Sequence, residues 1–469
     1  MVTIEVLTGP PGSGKSTEML TQVAGTPGRY LWAAPITELI DEQAPRLREL
    51  APAADVLALH CRAKLKGGVG RNIADLPQQY SVDRHVGAFI THEGLLGADP
   101  RAFEDWHIRI DETPNGIASG VLKIPHSVDL LRANYDLEPM TGSGWSRVVP
   151  RDRSLNWSHL SRDDFGMKLA NFHTLASRPR GVIIGLDDWD DARDQGGVEW
   201  LSIWTPAELT GCASVTLTGA GYFDSLAYRV TEACFGDQVG HIRTPARNSR
   251  RTGQPNVRIH YFTETHPGTT TYWSTSQGRW CLVQVCDWLV KNVRDLGFFS
   301  GNEVIQMLFE HRVRGQIVKP KLAGLNALRD HRSCAFIYSS KAVSEDKPLK
   351  SVFGLDDDDI VAARETEDII QFVFRGAIRN PNYDGPYDIY LYHRHQAEAV
   401  AAAMLKYSIF DVDIISIPDS PIMETSVEGA SSVAEVGDSA KLARKREQDR
   451  IRSKRYRENE KERARSRAA

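Results

Sequence analysis

GPPGSGKST, Gly9 to Thr17, follows the apolar run VTIEVLT and opens a stretch with helical spacing, STEMLTQVA. A β-branched strand, a glycine-rich turn and a helix, in that order, form a unit in which backbone N–H groups converge on phosphate at the helix N-terminus. The spacing GxxxxGK followed by Ser or Thr is satisfied in full by Gly9, Gly14, Lys15 and Ser16. Gly9, Pro10, Pro11, Gly12, Ser13, Gly14, Lys15, Ser16 and Thr17 are therefore read as the nucleotide-binding segment. Lys15 is expected to reach the β- and γ-phosphates and Ser16 to ligate Mg²⁺. A strand feeding a helix through such a loop commits this end of the chain to an α/β sheet.

A second apolar run, WHIRIDETP, Trp106 to Pro114, ends in Asp111 and Glu112. The carboxyl ends of strands are where an α/β sheet presents residues to a ligand. Asp111 would hold Mg²⁺ through water while Glu112 polarises an attacking water. Adjacent residues in an extended strand point opposite ways, so both can serve one site only if the strand ends there.

At 469 residues the chain is longer than one core usually supports. Residues 3–8, 30–34, 87–91, 106–111, 181–186 and 214–218 read as buried strands of a doubly wound parallel sheet, giving a first domain over 1–240. The polar, basic stretch at 241–256 reads as a linker. A second alternation follows over 257–417: NVRIHYF, the helix-like QGRWCLVQVCDWLVKNVRD, EVIQMLF, CAFIYSS, DIIQFVFRGAIRNP, YDIYLY, the helix HQAEAVAAAMLKY and DVDIISI. Residues 418–439 read as a flexible tether and 440–469 as a basic tail, disordered alone or helical along phosphates. From Lys441 onward there are thirteen Lys or Arg against five Asp or Glu, a net of +8. The formal charge of the whole is −4, so the preceding 440 residues carry −12. The six cysteines lack CxxC and zinc-finger spacing. No apolar run approaches the ~20 residues that span a bilayer. A soluble, cytoplasmic protein in a reducing compartment, with no membrane partner, is expected.

The phosphate loop and the carboxylate pair together resemble the superfamily 2 helicases, the DEAD-like group, in the divergent form carried by phages and mobile elements. YLWAAPITELIDEQ is similar to the family's motif Ia, with Thr37, and FITHEGLL to motif Ib, with Thr91 and His92. SVTLTGAGYFDS places Thr218, Gly219 and Ala220 where motif III couples hydrolysis to movement. GLNALRDH lies at the place of motif V, with Gly324, Asn326 and Asp330 as contacts to nucleotide or strand backbone. DIIQFVFRGAIRNP resembles motif VI, with Gln371, Arg375 and Arg379 stepping by four along one helical face. The resemblance covers roughly residues 3 to 395. It departs where only eight residues precede Gly9, leaving no room for an adenine-reading Q motif, and where Asp-Glu-Thr-Pro replaces the named tetrad.

The resemblance implies two tandem RecA-like parallel-sheet domains with ATP and Mg²⁺ at their interface. Glu112, Gln371, Arg375 and Arg379 would be catalytic, Ser16 and Asp111 would hold the metal, and Thr37, Thr91 and His92 would meet nucleic acid. Arg444, Arg446 and Arg455 of the tail would add phosphate contacts. The implied activity is an ATP-dependent helicase or translocase on DNA, with RNA as the other substrate, and replication or recombination proteins are the implied partner class. Two alternatives stay open: a viral DNA-packaging type motor, which would carry a metal nuclease in its second half, after residue 256, and a nucleotide-regulated DNA-binding switch; the clustered acids of DDWDDARD at 187–194 could suggest a two-metal site but read as a solvated loop. LDDDDI, Leu355 to Ile360, is expected to cap the helix carrying Arg375.

Overall fold

The computed structural model describes residues 2–63, 65–82, 84–123, 128–140, 144–152, 164–185, 189–190, 192, 197–247, 251–266, 268–320, 327–420 and 422–423. Gly324 and Asn326, Arg444, Arg446 and Arg455, and most of the 187–194 acidic run lie outside the described residues.

The chain opens with β1 (Val2–Thr8), β2 (Arg29–Ala34), β3 (Asp55–Leu59), β4 (Val86–Thr91) and β5 (His107–Asp111). An insert of five strands follows: β6 (Ile117–Leu122), β7 (Tyr135–Pro139), β8 (Trp145–Pro150), β9 (Val182–Gly185) and β10 (Val198–Ile203). The chain then returns to the first sheet with β11 (Ser214–Thr218) and β12 (Val239–Pro245). That sheet has the order β12-β1-β11-β5-β2-β4-β3, and every pairing in it is parallel. Both faces are covered, as parallel strands require. Leu31, Ala33, Ile90, Ile108 and Ile110 face one core. Trp32, Ala34 and Phe89 face the other, under Met19, Leu20, Leu39 and Ile40 of helices Lys15–Gly25 and Thr37–Leu50.

The insert corrects one expectation: residues 182–185 belong to an antiparallel sheet of order β6-β10-β9-β8-β7, not to the parallel one. The strand alternates buried and half-buried side chains, the mark of a sheet packed on one face. Its buried side joins Leu169 and Phe172 of helix Asp164–Ala176. A four-residue apolar run specifies extension but not partners, so sequence could not place it.

The second lobe holds β13 (Asn256–Thr263), β14 (Phe298–Gly301), β15 (Gln316–Ile317), β16 (Ser333–Ile337), β17 (Pro386–His393) and β18 (Val412–Ser416). Their order is β15-β14-β16-β17-β13-β18, and all pairings are parallel. The two tandem RecA-like sheets expected from the sequence are thus present, with the antiparallel insert added. EVIQMLF is a helix, Glu303–Phe309, and its strand, β14, lies just before it. β12 pairs with β1 as far as Pro245, so the first sheet reaches into the 241–256 stretch read as linker. Among the described residues no helix is long and apolar enough to cross a membrane. All six cysteines are free thiols.

The lobes meet through a buried apolar seam. Ile117, Leu201 and Ile203 of the insert, Ala227 and Val230 of helix Leu226–Phe235, and Leu349 and Ile360 of the second lobe form one cluster. Exposed ion pairs rim it, among them Lys347–Glu199 at 2.6 Å and Lys168–Glu345 at 3.0 Å.

Candidate functional site

β1 ends at Thr8, and Gly9 to Gly14 turn the chain into helix Lys15–Gly25. Gly12 and Gly14 have φ of +84° and +82°, values that side-chain-bearing residues adopt only at a cost. Lys15 lies folded over the loop, its Nζ donating to the carbonyls of Gly9 at 2.9 Å and Pro10 at 2.8 Å. Burial lowers its pKa to about 8, with Arg379 also pulling down while Glu112 and Asp111 pull up.

Asp111, the last residue of β5, is buried and accepts three side-chain hydrogen bonds. Ser16 Oγ donates to Oδ1 at 2.6 Å, Thr218 Oγ1 to Oδ1 at 2.8 Å and Gln43 Nε2 to Oδ2 at 3.0 Å. Glu112 has φ +66°, a left-handed conformation that costs a non-glycine residue about 1 kcal/mol or more. That turn is what ends the strand, as the sequence requires if both carboxylates are to serve one site. The Glu112 N–H donates to Thr218 Oγ1 at 3.1 Å. Burial raises the Glu112 pKa to about 7, with Asp111 and Glu367 adding to the rise and Lys15 and Arg375 opposing it. Ser16 Oγ and the Asp111 carboxylate are hard oxygen donors in direct contact, a set that suits Mg²⁺.

The opposite wall belongs to the second lobe, and here the expected helix is corrected. LDDDDI does cap a helix: Asp356 Oδ1 accepts from Asp359 N at 2.8 Å. The helical run passes through a wide turn at Ala362–Thr366 and ends with Glu367–Val373. Arg375 therefore lies beyond the helix and Arg379 in a separate 3₁₀ turn, Ala377–Arg379; the three residues do not share one helical face. Two diverted hydrogen bonds explain the break. Tyr387 Oη takes the Val373 carbonyl at 2.8 Å, and Ala377 N–H, which would have bonded it in a continuing helix, goes to His331 O at 2.8 Å. Gly376 makes room, since a β-carbon there would meet Tyr387 Oη at 2.1 Å.

The turn nonetheless brings Arg379 to the loop and leaves Arg375 on the same cleft. A β-carbon on Gly12 would lie 2.3 Å from Arg379 Cγ and 3.0 Å from its carbonyl oxygen, so the missing side chain is what admits Arg379. Arg375 is buried and donates to the carbonyls of Lys319 at 3.3 Å and Pro320 at 3.5 Å. Burial lowers its pKa to about 10, which leaves it a cation at neutral pH. Pro11, Gly12, Lys15 to Thr17, Asp111, Glu112, Thr218 to Ala220, Asp330, Gln371, Arg375 and Arg379 all line one cleft of about 1120 Å³ between the lobes.

Other expected site residues lie elsewhere. Thr91 Oγ1 caps the helix that begins at His92, accepting from Gly94 N at 3.2 Å. His92 Nε2 bonds the Asp111 carbonyl at 2.9 Å, and burial lowers its pKa to about 4. Both side chains make hydrogen bonds within the first lobe, His92 as a neutral buttress of β5. Thr37, half-buried at the start of helix Thr37–Leu50, bonds its neighbour Glu38 at 3.1 Å. Among the cleft residues not legible in the sequence are Gln43 and Glu367. Gln43 lies on the buried face of its helix beside Leu39, Ile40, Ala44 and Leu47, and a polar residue in that stripe was the available signal. Glu367 sits one turn before Gln371 and accepts from its Nε2 at 3.0 Å.

No protein-family model matches the sequence, and no curated protein matches it. Solved structures similar to the chain include S. tokodaii Xpd4, at 12% identity and TM-score 0.45, covering 88% of this chain and 96% of that one. S. cerevisiae Dbp5 bound to RNA and ADP BeF3 aligns at 8% identity and TM-score 0.39, over 89% of this chain and 86% of that one. RecG bound to a three-way DNA junction aligns at 10% identity and TM-score 0.35, over 87% of this chain and 41% of that one.

Proposed function

We propose that the protein is an ATP-dependent nucleic-acid helicase or translocase that hydrolyses ATP in the cleft between its lobes to move on or unwind DNA, with RNA as the other substrate. One observation carries the reading: Lys15, Ser16, Asp111 and Glu112 of the first lobe and Arg375 and Arg379 of the second line a single cleft. The N–H groups of the Gly9–Gly14 loop would cradle the phosphates, and Lys15 would exchange its two loop carbonyls for phosphate oxygens. Ser16 and Asp111 would hold Mg²⁺, which supplies charge neutralisation at the β- and γ-phosphates. Glu112, with its raised proton affinity, would take a proton from the attacking water. Arg375 and Arg379 would stabilise charge on the transferring phosphoryl group only when the lobes are together. Thr218, bonded to Asp111 and to the Glu112 N–H, would pass the state of the site to Gly219 and Ala220 and so to the second lobe.

The test is ATP turnover by the full chain, alone and with single- and double-stranded DNA and RNA. Stimulation by nucleic acid is expected. Nucleotide binding with no turnover under any of these conditions would favour the second reading, a nucleotide-regulated DNA-binding switch, which the same loop and the net +8 tail also suit. Mg²⁺-dependent cleavage of plasmid DNA would favour the packaging-type motor with a nuclease. Removing residues 438–469 should weaken nucleic-acid affinity and flatten its salt dependence while sparing basal turnover.

A further inference from the structure

The insert is spliced between β5, which ends in Asp111, and β11, which ends in Thr218. Its two ends are tied together: Trp204 N–H donates to Gly116 O at 2.9 Å, and a β-carbon on Gly116 would lie 2.6 Å from the Trp204 carbonyl oxygen. Above this neck β6 and β10 pair from Ile117–Ile203 to Leu122–Val198, and their side chains alternate between the two faces of the sheet. Val198 and Trp200 enter the insert's own core with Leu169 and Phe172. Ile117, Leu201 and Ile203 point the other way, where Leu349 of helix Lys347–Phe353 and Ile360 of helix Asp357–Val361 join them from the second lobe. Glu199, on that same face, reaches Lys347 at 2.6 Å.

The second-lobe side of this contact leads to the arginines. Ile360 stands at the head of the helical run that passes through Ala362–Thr366 to Gln371 and on to Arg375. That run is braced inside its own lobe. Buried Asp346 accepts from Arg364 at 2.9 and 2.7 Å, and buried Glu365 accepts from Lys341, Gln396 and the Ser340 N–H. The first-lobe path is shorter still, since Ile117 comes five residues after Glu112 and lines the cleft itself. One apolar contact thus joins the carboxylate wall to the arginine wall, and burial of apolar surface needs no ligand to drive it.

We infer that the outward face of the insert sheet is a pivot: it keeps the second lobe seated on the first with no nucleotide bound, so that the lobes rock about the seam and do not come apart. Ile117, Leu201, Leu349 and Ile360 are then positioning residues for Arg375 and Arg379, which approach and leave the phosphate loop as the second lobe rocks. The seating of the lobe stands whether or not ATP is hydrolysed; only the consequence for turnover rests on the proposed activity.

The test measures spin-label distances by double electron–electron resonance in the full chain, with the exposed Cys61 and Cys234 changed to Ser. Labels on Met167→Cys of the insert and Val352→Cys of the second lobe, both exposed, span the seam. Labels on Glu42→Cys and Asp330→Cys, exposed on opposite walls, span the cleft. Without nucleotide the seam pair gives one narrow distribution that Mg²⁺·ADP leaves unchanged, while the cleft pair gives a broad one that Mg²⁺·ADP narrows. Leu349→Asp sets a charge against the apolar face and broadens the seam distribution in the free protein. Leu349→Ala, which only empties the contact, broadens it less and serves alone if circular dichroism shows that the Asp variant has lost its fold. Stimulated turnover falls by about 10²-fold in the folded Asp variant, the scale of a misplaced catalytic group, while Mg²⁺·ADP affinity changes by less than about threefold, because the phosphate loop belongs wholly to the first lobe. A parental seam pair that is broad without nucleotide and narrows with Mg²⁺·ADP overturns the inference, since the nucleotide would then seat the lobe. Folded Leu349 variants with the parental seam distribution overturn it as well, and a displaced lobe with unchanged turnover ends the positioning role. A parent that binds no ADP yet keeps the narrow seam distance ends the motor reading and leaves the pivot standing.

Discussion

On the first-lobe wall of the cleft, Asp111 is held by Ser16, Thr218 and Gln43, and its carbonyl by His92. On the second-lobe wall, Arg375 reaches two carbonyls at the long distances of 3.3 and 3.5 Å, and Arg379 makes no side-chain hydrogen bond among the described residues. A carboxylate with three donors is fixed before any ligand arrives. The buried Arg375 and the half-buried Arg379 thus have weak or no hydrogen-bond partners for their guanidinium groups and keep donors available to a ligand. On the proposed reading the difference separates gripping from sensing: the first wall is held by its own hydrogen bonds, and the second would be completed by an anion.

The sharpest way to break that comparison is one substitution on each wall. Lys15→Ala should abolish turnover and nucleotide binding together, because the first wall both grips and activates. Arg375→Ala should lower stimulated turnover by about 10³-fold, the scale of an arginine finger, while nucleotide affinity measured by fluorescence of a labelled ADP changes by less than about tenfold. Equal losses of affinity in the two variants would make the second wall a gripping surface as well. Gly12→Ala adds a side chain where Arg379 crosses the loop at a residue with φ +84°. It should lower turnover more than Arg379→Ala does, since it disturbs both walls at once.

Next in size is pH. Glu112 must be ionised to take a proton, and its pKa is raised to about 7; activity is therefore lost as pH falls through 7. Lys15 must be protonated to meet phosphate, and its pKa is lowered to about 8, so activity is lost again as pH rises through 8. The kcat/KM profile, which reports the free enzyme, should be a narrow bell with limbs near 7 and 8. A flat profile from pH 6 to 9 would remove either the base or the lysine from the rate-determining chemistry.

The two walls also differ in how far the sequence revealed them. The loop and the Asp111–Glu112 pair are local: six to nine consecutive residues determine their geometry, and a strand end is marked by the residues at it. The second wall depends on distant residues. Periodicity carried the Gln371 helix through Arg379, and nothing in that stretch records that Tyr387 would take the Val373 carbonyl while His331 takes the Ala377 N–H. The insert was misread for a related reason, since four apolar residues at 182–185 do not name their partners. The expectation for His92 rests on the likeness of FITHEGLL to motif Ib; that its ring also bonds the Asp111 carbonyl depends on a residue nineteen positions away and is not legible in that stretch.

The smallest effect expected is at the rim between the walls. Lys406 of the second lobe pairs with Asp224 just past the Thr218–Ala220 segment, and both side chains are largely exposed, at 54% and 66%. Solvent screens such a pair, and its contribution is at most about 1 kcal/mol, no more than about a fivefold change in the fraction of molecules with the lobes closed. Buried contacts dominate the closure: the seam of Ile117, Leu201, Ile203, Leu349 and Ile360 is apolar and indifferent to salt. Lys406→Ala should therefore lower stimulated turnover by less than about fivefold in dilute buffer, and the deficit should vanish in about 0.5 M salt, where the screening length shrinks to a few ångströms. A deficit that persists at high salt would mean that Lys406 packs its methylene stem against Tyr407 and the rim of the cleft, and that its charge is incidental to how the second wall is held.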